Sequence, residues 1–227
     1  MFDRRALLLS CGSSLLATHH RGAAAATATG RDPRVIRVQR GTAPASLRPP
    51  GRHVLTFLGY SGAGYQNLAA MLAEAAAVLA RHDPARTTVN IGATTDGIGA
   101  VYRLARSRGF PTMGIVSSQA LNSGAAWAPE VERIDVIDDA TWGGAGPDGM
   151  LSPTSAAMVA VSDEMVAIGG GAIARDELMA ARREGKRCRF IPAESNHQIA
   201  REKASKAGKP VPASFDSVLG TRAWESP

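Results

Sequence analysis

The fold is decided by the stretch Val54-Leu55-Thr56-Phe57-Leu58, which ends at Gly59. A continuous apolar run of this length, closed by a glycine, is typical of a strand that is buried on both faces of a parallel sheet. Residues 67–81, which follow, are rich in alanine and leucine and predict a helix. A buried strand, a glycine turn and a helix in this order form the repeating unit of parallel sheets.

The same unit recurs along the rest of the chain. Further strands are predicted at residues 87–91, 112–116, 133–137, 164–168 and 187–191. Further helices are predicted at residues 98–107, 175–183 and 194–207. Because strand and helix alternate throughout, the sequence predicts an α/β fold, a doubly wound, mostly parallel, Rossmann-like sheet of about six strands with right-handed crossovers.

The composition fits one such domain and excludes several other classes. Of the 227 residues, 44% are hydrophobic and 20% are charged, which excludes a wholly disordered chain. The two cysteines, Cys11 and Cys188, are too few for a disulfide framework or a four-thiolate zinc site, and the five histidines show no ligand spacing. The sequence therefore predicts neither a bound metal nor a cofactor.

The first 52 residues differ from the rest in charge. They contain nine arginines and two aspartates, a net charge of +7, so the remaining 175 residues carry −1. A folded domain without excess positive charge has no general attraction for a phosphate backbone, so no nucleic acid is expected as its partner. The predicted boundaries are therefore 1–52 for a disordered arginine- and alanine-rich extension, with a linker at residues 30–52, and 53–227 for the Rossmann-like domain.

Two explanations of the extension stay open. Arg4-Arg5 and the apolar residues 6–17 resemble a twin-arginine export signal, with Ala24, Ala26 and Ala28 as a cleavage site. The alternative is a disordered extension or a start codon placed too early, in which case the protein is cytoplasmic. The apolar stretch is too short to cross a bilayer, so no membrane span is expected. Removal of residues 1–45 is expected to leave the unfolding transition unchanged.

Three glycine-rich loops follow predicted strands. They are Gly59-Tyr60-Ser61-Gly62-Ala63-Gly64, residues 92–99, and Gly169-Gly170-Gly171. Glycine lets the backbone approach a ligand closely, and the helix after each loop offers free N–H groups and the positive end of its dipole to an anion. Because the carboxyl ends of parallel strands meet at one edge of the sheet, the loops together predict a nucleotide phosphate site. The predicted ligand-binding residues are Gly59, Ser61, Gly62, Gly92, Thr94, Thr95, Gly97, Ser117, Gly169, Gly170, Gly171, Ala172 and Arg175.

These loops resemble those of two enzyme classes only in part. Residues 92–99 resemble the cofactor loop of short-chain dehydrogenases, but none of the three tyrosines is followed four residues later by the lysine that those enzymes need. The first loop resembles the nucleophile elbow of α/β hydrolases, with Ser61 as nucleophile and His197 and either Asp138 or Asp163 as its partners. That elbow normally follows several strands, whereas only the linker precedes this one. A serine hydrolase is therefore a remote alternative.

The loops match the motifs of one known superfamily at several positions. The matching positions are Gly170, Gly171 and Glu177 in a G-G-x-G-T-x-x-E segment, Gly92, Gly97 and Ile98 in a G-G-x-x-x-G-L-M-G segment, and Ser61-Gly62 in an early G-S segment. Over about residues 54–191 the chain thereby resembles the SLOG superfamily, the Rossmann-like group that includes the lonely-guy phosphoribohydrolases and the DNA-processing protein DprA. The resemblance implies that the glycine loops bind a nucleotide.

The chain departs from that superfamily at the phosphate site. Ile173-Ala174 replaces the Gly-Thr of the motif, and the arginine and lysine that precede the glycine loop in the phosphoribohydrolases are absent from residues 152–158. The resemblance implies that Glu177 is the catalytic carboxylate, because cleavage of an N-glycosidic bond passes through an oxocarbenium-like state that needs one. Alternatively, Glu177 only complements the dipole at the start of its helix.

The sequence favours binding over catalysis. We expect the chain to bind a nucleotide or nucleotide-derived ligand without turnover, because no cation is evident to hold the departing phosphoribosyl group. The alternative is a phosphoribohydrolase-like enzyme that hydrolyses nucleoside 5′-monophosphates. The expected partner is a small nucleotide-like molecule, and assembly into a homodimer is left open.

Overall fold

Seven parallel strands form one sheet in the computed structural model, which describes residues 32–39, 42–220 and Trp224. The strands are β1 (Arg34–Arg37), β2 (His53–Gly59), β3 (Thr87–Ile91), β4 (Thr112–Ser117), β5 (Arg133–Ile137), β6 (Glu164–Ile168) and β7 (Arg187–Ile191). Their order across the sheet is β1-β5-β4-β3-β2-β6-β7. The chain winds outward from β2 to β5 and then returns to the other side of β2. The predicted doubly wound, parallel α/β fold is confirmed, as are the six predicted strands.

Helices accompany the strands on both faces of the sheet. In the described ranges they are α1 (Leu68–Leu79), α2 (Ala100–Ser107), α3 (Ser118–Asn122), α4 (Pro153–Val161), α5 (Ala172–Arg183) and α6 (His197–Lys206). The first three bury Met71, Tyr102 and Ala120 in one apolar cluster. Helices α4 and α5 bury Met158 and Leu178 in a second cluster. The sheet therefore lies between two layers of helices, as a doubly wound fold requires.

Strand β2 lies between β3 and β6, near the middle of the sheet. Because successive side chains of a strand point to opposite faces, Leu55 and Phe57 enter the first apolar cluster while Val54 and Leu58 enter the second. All four side chains are buried. The uninterrupted apolar run therefore results from burial of both faces, and it positions Gly59 at the carboxyl end of a central strand.

Helix α4 is not predicted by the sequence. Its residues are nearly all small or apolar, so the 3.6-residue periodicity of an amphipathic helix is missing. The helix packs on α5 and on the short 3-10 turn Pro44–Leu47, which explains why it has no polar face. Two start signals are nevertheless present, because Ser152 accepts a hydrogen bond from the Ser155 N–H and Pro153 is the first helical residue.

Strand β1 lies in the range that the sequence assigns to a linker. It pairs with β5 from Arg34 opposite Arg133 to Arg37 opposite Val136. Leu47 is buried in the second apolar cluster, and the Arg48 guanidinium donates to Asp163 at 2.6 Å. The pattern is hard to recognise because a short edge strand needs little apolar surface and is protected by its arginines. Residues 34–37 and 47–48 are therefore packed together with β2–β7, in contrast to the linker expected there.

Removal of β1 is consequently expected to destabilise the fold. A chain that lacks residues 1–45 leaves the backbone edge of β5 at Ile134 and Val136 uncovered. We expect its free energy of unfolding to be about 2 kcal/mol lower than that of a chain lacking only residues 1–31. Thermal unfolding of the two truncated proteins measures this difference. Equal melting temperatures would contradict the role of β1 and support the expectation from the sequence.

The predicted export signal lies in residues 1–31, outside the described ranges. The resemblance to a twin-arginine signal therefore stays a prediction. Within the described part of the chain, no helix is long and apolar enough to cross a membrane.

Candidate functional site

A cavity of about 880 Å³ opens at the carboxyl ends of the central strands. Its walls come from the loops after β2, β3 and β4 and from the start of α5. It lies where the chain order reverses between β2 and β6, which is the usual ligand position in open α/β sheets. Many of the residues predicted from the sequence line it. These residues are Gly59, Ser61, Gly62, Gly92, Thr94, Thr95, Ser117, Gly171, Ala172 and Glu177.

Four predicted ligand-binding residues, Gly97, Gly169, Gly170 and Arg175, lie outside this lining. Gly97 has a positive φ of 58° and packs against the Tyr60 carbonyl, where no side chain fits. Gly170 has a φ of 118°, and a Cβ there would lie 2.7 Å from the Ala174 Cβ. The structure therefore gives Gly97 and Gly170 a role in the shape of the loops, with the backbone packed against protein.

Gly169 and Arg175 also contact other protein residues and do not line the cavity. A Cβ at residue 169 would lie 2.7 Å from the Tyr60 ring. The Arg175 guanidinium donates twice to Asp176 Oδ1, at 2.9 and 2.8 Å, and this pair holds it at the side of α5. Arg175 is therefore not the cation of the cavity.

Two buried tyrosines anchor the loops of the cavity. The Tyr65 hydroxyl donates to the Ile168 carbonyl at 2.7 Å and accepts from the Tyr60 N–H at 3.1 Å. Burial raises the pKa of this hydroxyl, so it stays protonated. It thereby ties the loop after β2 to the end of β6. No pattern in the sequence indicates this contact.

Tyr102 does the same for the loop after β3. Its hydroxyl donates to the Met113 carbonyl at 2.8 Å and accepts from the Ala93 N–H at 3.1 Å. Ala93 has a φ of 52°, a left-handed conformation that non-glycine residues rarely adopt. Such conformations persist where the surroundings hold them and are common beside ligand sites. Here the Ala128 N–H, which donates to the Ala93 carbonyl at 3.0 Å, completes the support.

The start of α5 faces the cavity. Gly171 precedes the helix and has no side chain to cap it, and Ala172 and Ile173 in its first turn also line the cavity. The N–H groups of a first helical turn have no acceptor within the helix and lie at the positive end of its dipole. A Cβ added to Gly171 would have no protein atom within 4 Å. This helix start is therefore open to an anionic group in the cavity.

Glu177 is a buried carboxyl group at the cavity wall, only 4% exposed. Burial raises its pKa to about 7, the charge of Asp176 adds to the increase, and a hydrogen bond from Ser155 opposes it. That bond joins Ser155 Oγ to Glu177 Oε1 at 2.6 Å, and Ser155 Oγ also accepts from the Gly144 N–H at 2.7 Å. Glu177 lies in the second turn of α5, so it is not the first-turn carboxylate of the alternative interpretation.

The raised pKa of Glu177 is expected to make stability fall as the pH rises. In the unfolded chain the pKa is near 4.5 and in the folded chain it is about 7, so between these values only the folded protein retains the proton. This contribution is fully present below the lower pKa and is lost by up to about 3 kcal/mol as the pH passes the higher one. Glu177→Gln cannot titrate, so its melting temperature relative to the wild type should rise between about pH 5 and about pH 8. A constant difference would contradict the raised pKa.

Arg175 is the one basic residue among the predicted ligand-binding residues, whereas the structure places Lys203 at the cavity. This residue of α6 lines the cavity, and its Nζ donates to the Gly62 carbonyl at 2.9 Å. The contact joins residues that are far apart in the chain, so spacing alone gives no sign of it. Two tryptophans also line the cavity, the partly buried Trp127 and Trp142, which is 60% exposed.

The loop that carries Trp142 is held in place by acidic side chains. Asp139 accepts hydrogen bonds from the Thr141 N–H at 2.8 Å and the Thr154 N–H at 2.9 Å. Although burial acts to raise it, these bonds lower the pKa of Asp139 to about 2. The Ser117 hydroxyl donates to the carbonyls of Asp139 and Thr141. Ser117 therefore lines the cavity, but its proton is used within the protein.

Two of the residues expected to assist Ser61, His197 and Asp163, are paired with other side chains. His197 Nε2 pairs with Glu194 Oε2 at 2.8 Å, and its ring stacks on Phe215. Asp163 lies just before β6, at the opposite edge of the sheet, where it binds Arg48. These pairings do not support the nucleophile elbow that the first loop resembles.

The fold and the cavity define a Rossmann-like α/β protein with a site at the carboxyl edge of the sheet. No protein-family model matches the chain, and no curated protein is significantly similar to it. Among solved structures, the chain is similar to the X-ray structure of TM1055, a target of the Northeast Structural Genomics Consortium. The two are 22% identical, with a TM-score of 0.44 over 60% of this chain and 72% of that one. A similarity at this level says nothing about the ligand.

Proposed function

We propose that the chain binds a nucleotide or nucleotide-derived ligand in the cavity at the carboxyl edge of the sheet. The observation that carries this proposal is the convergence of two glycine loops, the open start of α5 and Lys203 on one cavity. Its volume of about 880 Å³ lies within the range of cavities that hold small ligands.

The phosphate is assigned to the start of α5. Gly171 leaves room for an oxyanion beside the first-turn N–H groups, which bind anions without any side chain. Lys203 Nζ, which donates to the Gly62 carbonyl, adds a positive charge to the lining of the cavity. This cation replaces the upstream arginine and lysine whose absence the sequence shows.

The base is assigned to the Trp127 side of the cavity. Trp127 offers an aromatic face, and Ile98 and Val116, which belong to the apolar cluster on which Trp127 packs, add apolar surface to the lining. Stacking of a base on an aromatic ring contributes about 1–3 kcal/mol and tolerates every base. An anionic group at α5 and a planar ring at Trp127 therefore define the proposed ligand class.

A second candidate function is hydrolysis of the N-glycosidic bond of that ligand. It is favoured by Glu177, whose pKa of about 7 would allow proton exchange near neutral pH. Against it, Ile173 and Ala174 stand where the resembled motif has glycine and threonine. Binding without turnover remains the preferred proposal.

The binding proposal is tested by calorimetry with nucleoside 5′-monophosphates, the matching nucleosides and inorganic phosphate. Lys203→Gln should weaken the binding of the monophosphates about 10-fold and leave the binding of the nucleosides unchanged, because only the monophosphates carry a negative charge that the lysine can bind. Lys206→Gln, an exposed lysine of the same helix, is the matched control. Failure of wild type to bind any monophosphate would contradict the proposal.

The two functions are separated by an assay for release of free base. If the chain is a hydrolase, Glu177→Gln should lower turnover by roughly 10²–10³-fold while ligand affinity stays nearly unchanged. Glu184→Gln, at the exposed end of the same helix, is the control. We expect tight binding with no release by any of the three proteins. Release by wild type and the control, but not by Glu177→Gln, would establish the hydrolase.

A further inference from the structure

A second cluster of polar side chains lies at the amino-terminal edge of the sheet. His53 is the first residue of β2, Glu164 is the first residue of β6, and His82 lies in the loop after α1. β2 has seven residues, so about 20 Å separate this edge from the cavity. We propose that His53, His82 and Glu164 bind one divalent transition-metal ion of the zinc type through two imidazoles and one carboxylate.

The potential ligand atoms already lie close together. One atom from each residue can be chosen so that all three are within 4.8 Å of one another. His53 Nε2 is 3.8 Å from Glu164 Oε2, and His82 Nε2 is 3.8 Å from Glu164 Oε1. Tetrahedral zinc with bonds of about 2.0–2.1 Å places its ligand atoms about 3.4 Å apart. The two imidazole rings are stacked, with centroids 5.5 Å apart and 15° between their planes, so rotation of the rings is what would bring both nitrogen lone pairs onto one ion.

The carboxylate of Asp163 lies on the Nδ1 side of the His53 ring. His53 Nδ1 lies 3.6 Å from Asp163 Oδ2. Asp163 is itself fixed by Arg48 at 2.6 Å and by the Val54 N–H at 2.8 Å. Metal-binding histidines usually direct their second ring nitrogen at such a carboxylate, which sets the tautomer and the ring orientation. Asp163 thus leaves His53 Nε2 as the nitrogen available to the ion.

Arg187 is the one cation in contact with two of the proposed ligands in the described structure. Its guanidinium lies 3.4 Å from Glu164 Oε2 and 3.4 Å from His53 Nε2. The side chain is 70% exposed, so it can turn into solvent when an ion enters. Because Arg187 competes with the ion for the same atoms, Arg187→Gln should bind metal more tightly than wild type. Substitution of a metal-binding residue should have the opposite effect and weaken the binding.

The test is a titration of the full, chelator-treated chain with Zn²⁺ alone. We expect one Zn²⁺ per chain, binding at least about 100-fold weaker in His82→Gln and in Glu164→Gln, and binding tighter in Arg187→Gln. Circular dichroism of each variant establishes that it is folded. Titration of wild type with Co²⁺ gives a second readout, because four-coordinate Co²⁺ absorbs visible light much more strongly than the hydrated ion.

Two controls separate this site from other histidines. His197→Gln removes a histidine that also pairs with a glutamate, and it should bind Zn²⁺ as wild type does. Joint replacement of His19 and His20, which lie outside the described residues, should do the same. No saturable Zn²⁺ binding by wild type, or wild-type affinity in His82→Gln and Glu164→Gln, would overturn the proposal and leave the cluster as a network of ion pairs. The outcome is independent of nucleotide binding.

Discussion

Gly171→Val is expected to lower nucleotide affinity by at least about 100-fold while the protein stays folded. The backbone at Gly171 has a φ of −88° and a ψ of −162°, which valine adopts without strain. Its Cβ would meet no protein atom within 4 Å and would project from the lining of the cavity. The side chain would thus occupy the space assigned to the phosphate and cover the N–H groups of α5.

The neighbouring glycine provides the contrast. Gly170→Val places a β-branched residue at a φ of 118°, with its Cβ 2.7 Å from the Ala174 Cβ, and should lower the free energy of unfolding by about 3 kcal/mol or more. Ala85→Val, at an exposed site on the opposite edge, is the control for both. Thermal unfolding and nucleotide titration of the three variants measure the two effects. Normal binding by Gly171→Val would show that the phosphate is not at α5.

Tyr65→Phe and Tyr102→Phe are each expected to lower the free energy of unfolding by about 2–5 kcal/mol. Each hydroxyl serves one buried N–H and one buried carbonyl, and its removal leaves both without a partner at a cost of about 1–3 kcal/mol per group. For a domain of this size the melting temperature should fall by roughly 5–15 °C. Nucleotide affinity should fall as well, because the hydroxyls hold the two loops that line the cavity.

Tyr60→Phe is the matched control for these variants. The Tyr60 hydroxyl donates to the Ala193 carbonyl at 3.3 Å, a long bond in a partly buried place, and it also interacts with the Gly170 backbone. Its loss should cost less than about 1 kcal/mol. A loss of stability in Tyr60→Phe as large as in the other two would show that burial of the ring, and not the anchoring of the loops, determines the effect.

Most strands of the sheet could be predicted because the signal for each of them, a short run of mainly apolar residues, lies within the strand itself. Runs such as residues 54–58 and 165–168 are mainly apolar since both faces of a central strand are buried, and this property is visible in the sequence itself. Strand β1 and helix α4 escape prediction for opposite reasons. β1 is an exposed edge strand with little apolar surface, and α4 is so fully buried that it lacks the polar face by which helices are recognised.

The candidate site, like the fold, could be predicted from the sequence only in part. The glycine loops indicate the edge of the sheet at which the cavity opens, because the carboxyl ends of parallel strands meet there. Lys203, Tyr65 and Tyr102 act through contacts between distant segments, for which spacing along the chain carries no signal. His53 and His82 are likewise brought together only by the fold, so their spacing along the chain does not indicate that they lie close together.

The position of β1 has a consequence for the order in which the protein forms during synthesis. Among the strands of the described residues, β1 leaves the ribosome first, yet its Arg34 pairs with Arg133, which is 99 positions later in the chain. At a translation rate of about 5–20 residues per second, β1 waits roughly 5–20 s before β5 exists. Through that interval Val35 and Ile36 lie between Arg34 and Arg37, whose like charges keep neighbouring nascent chains from pairing with the strand.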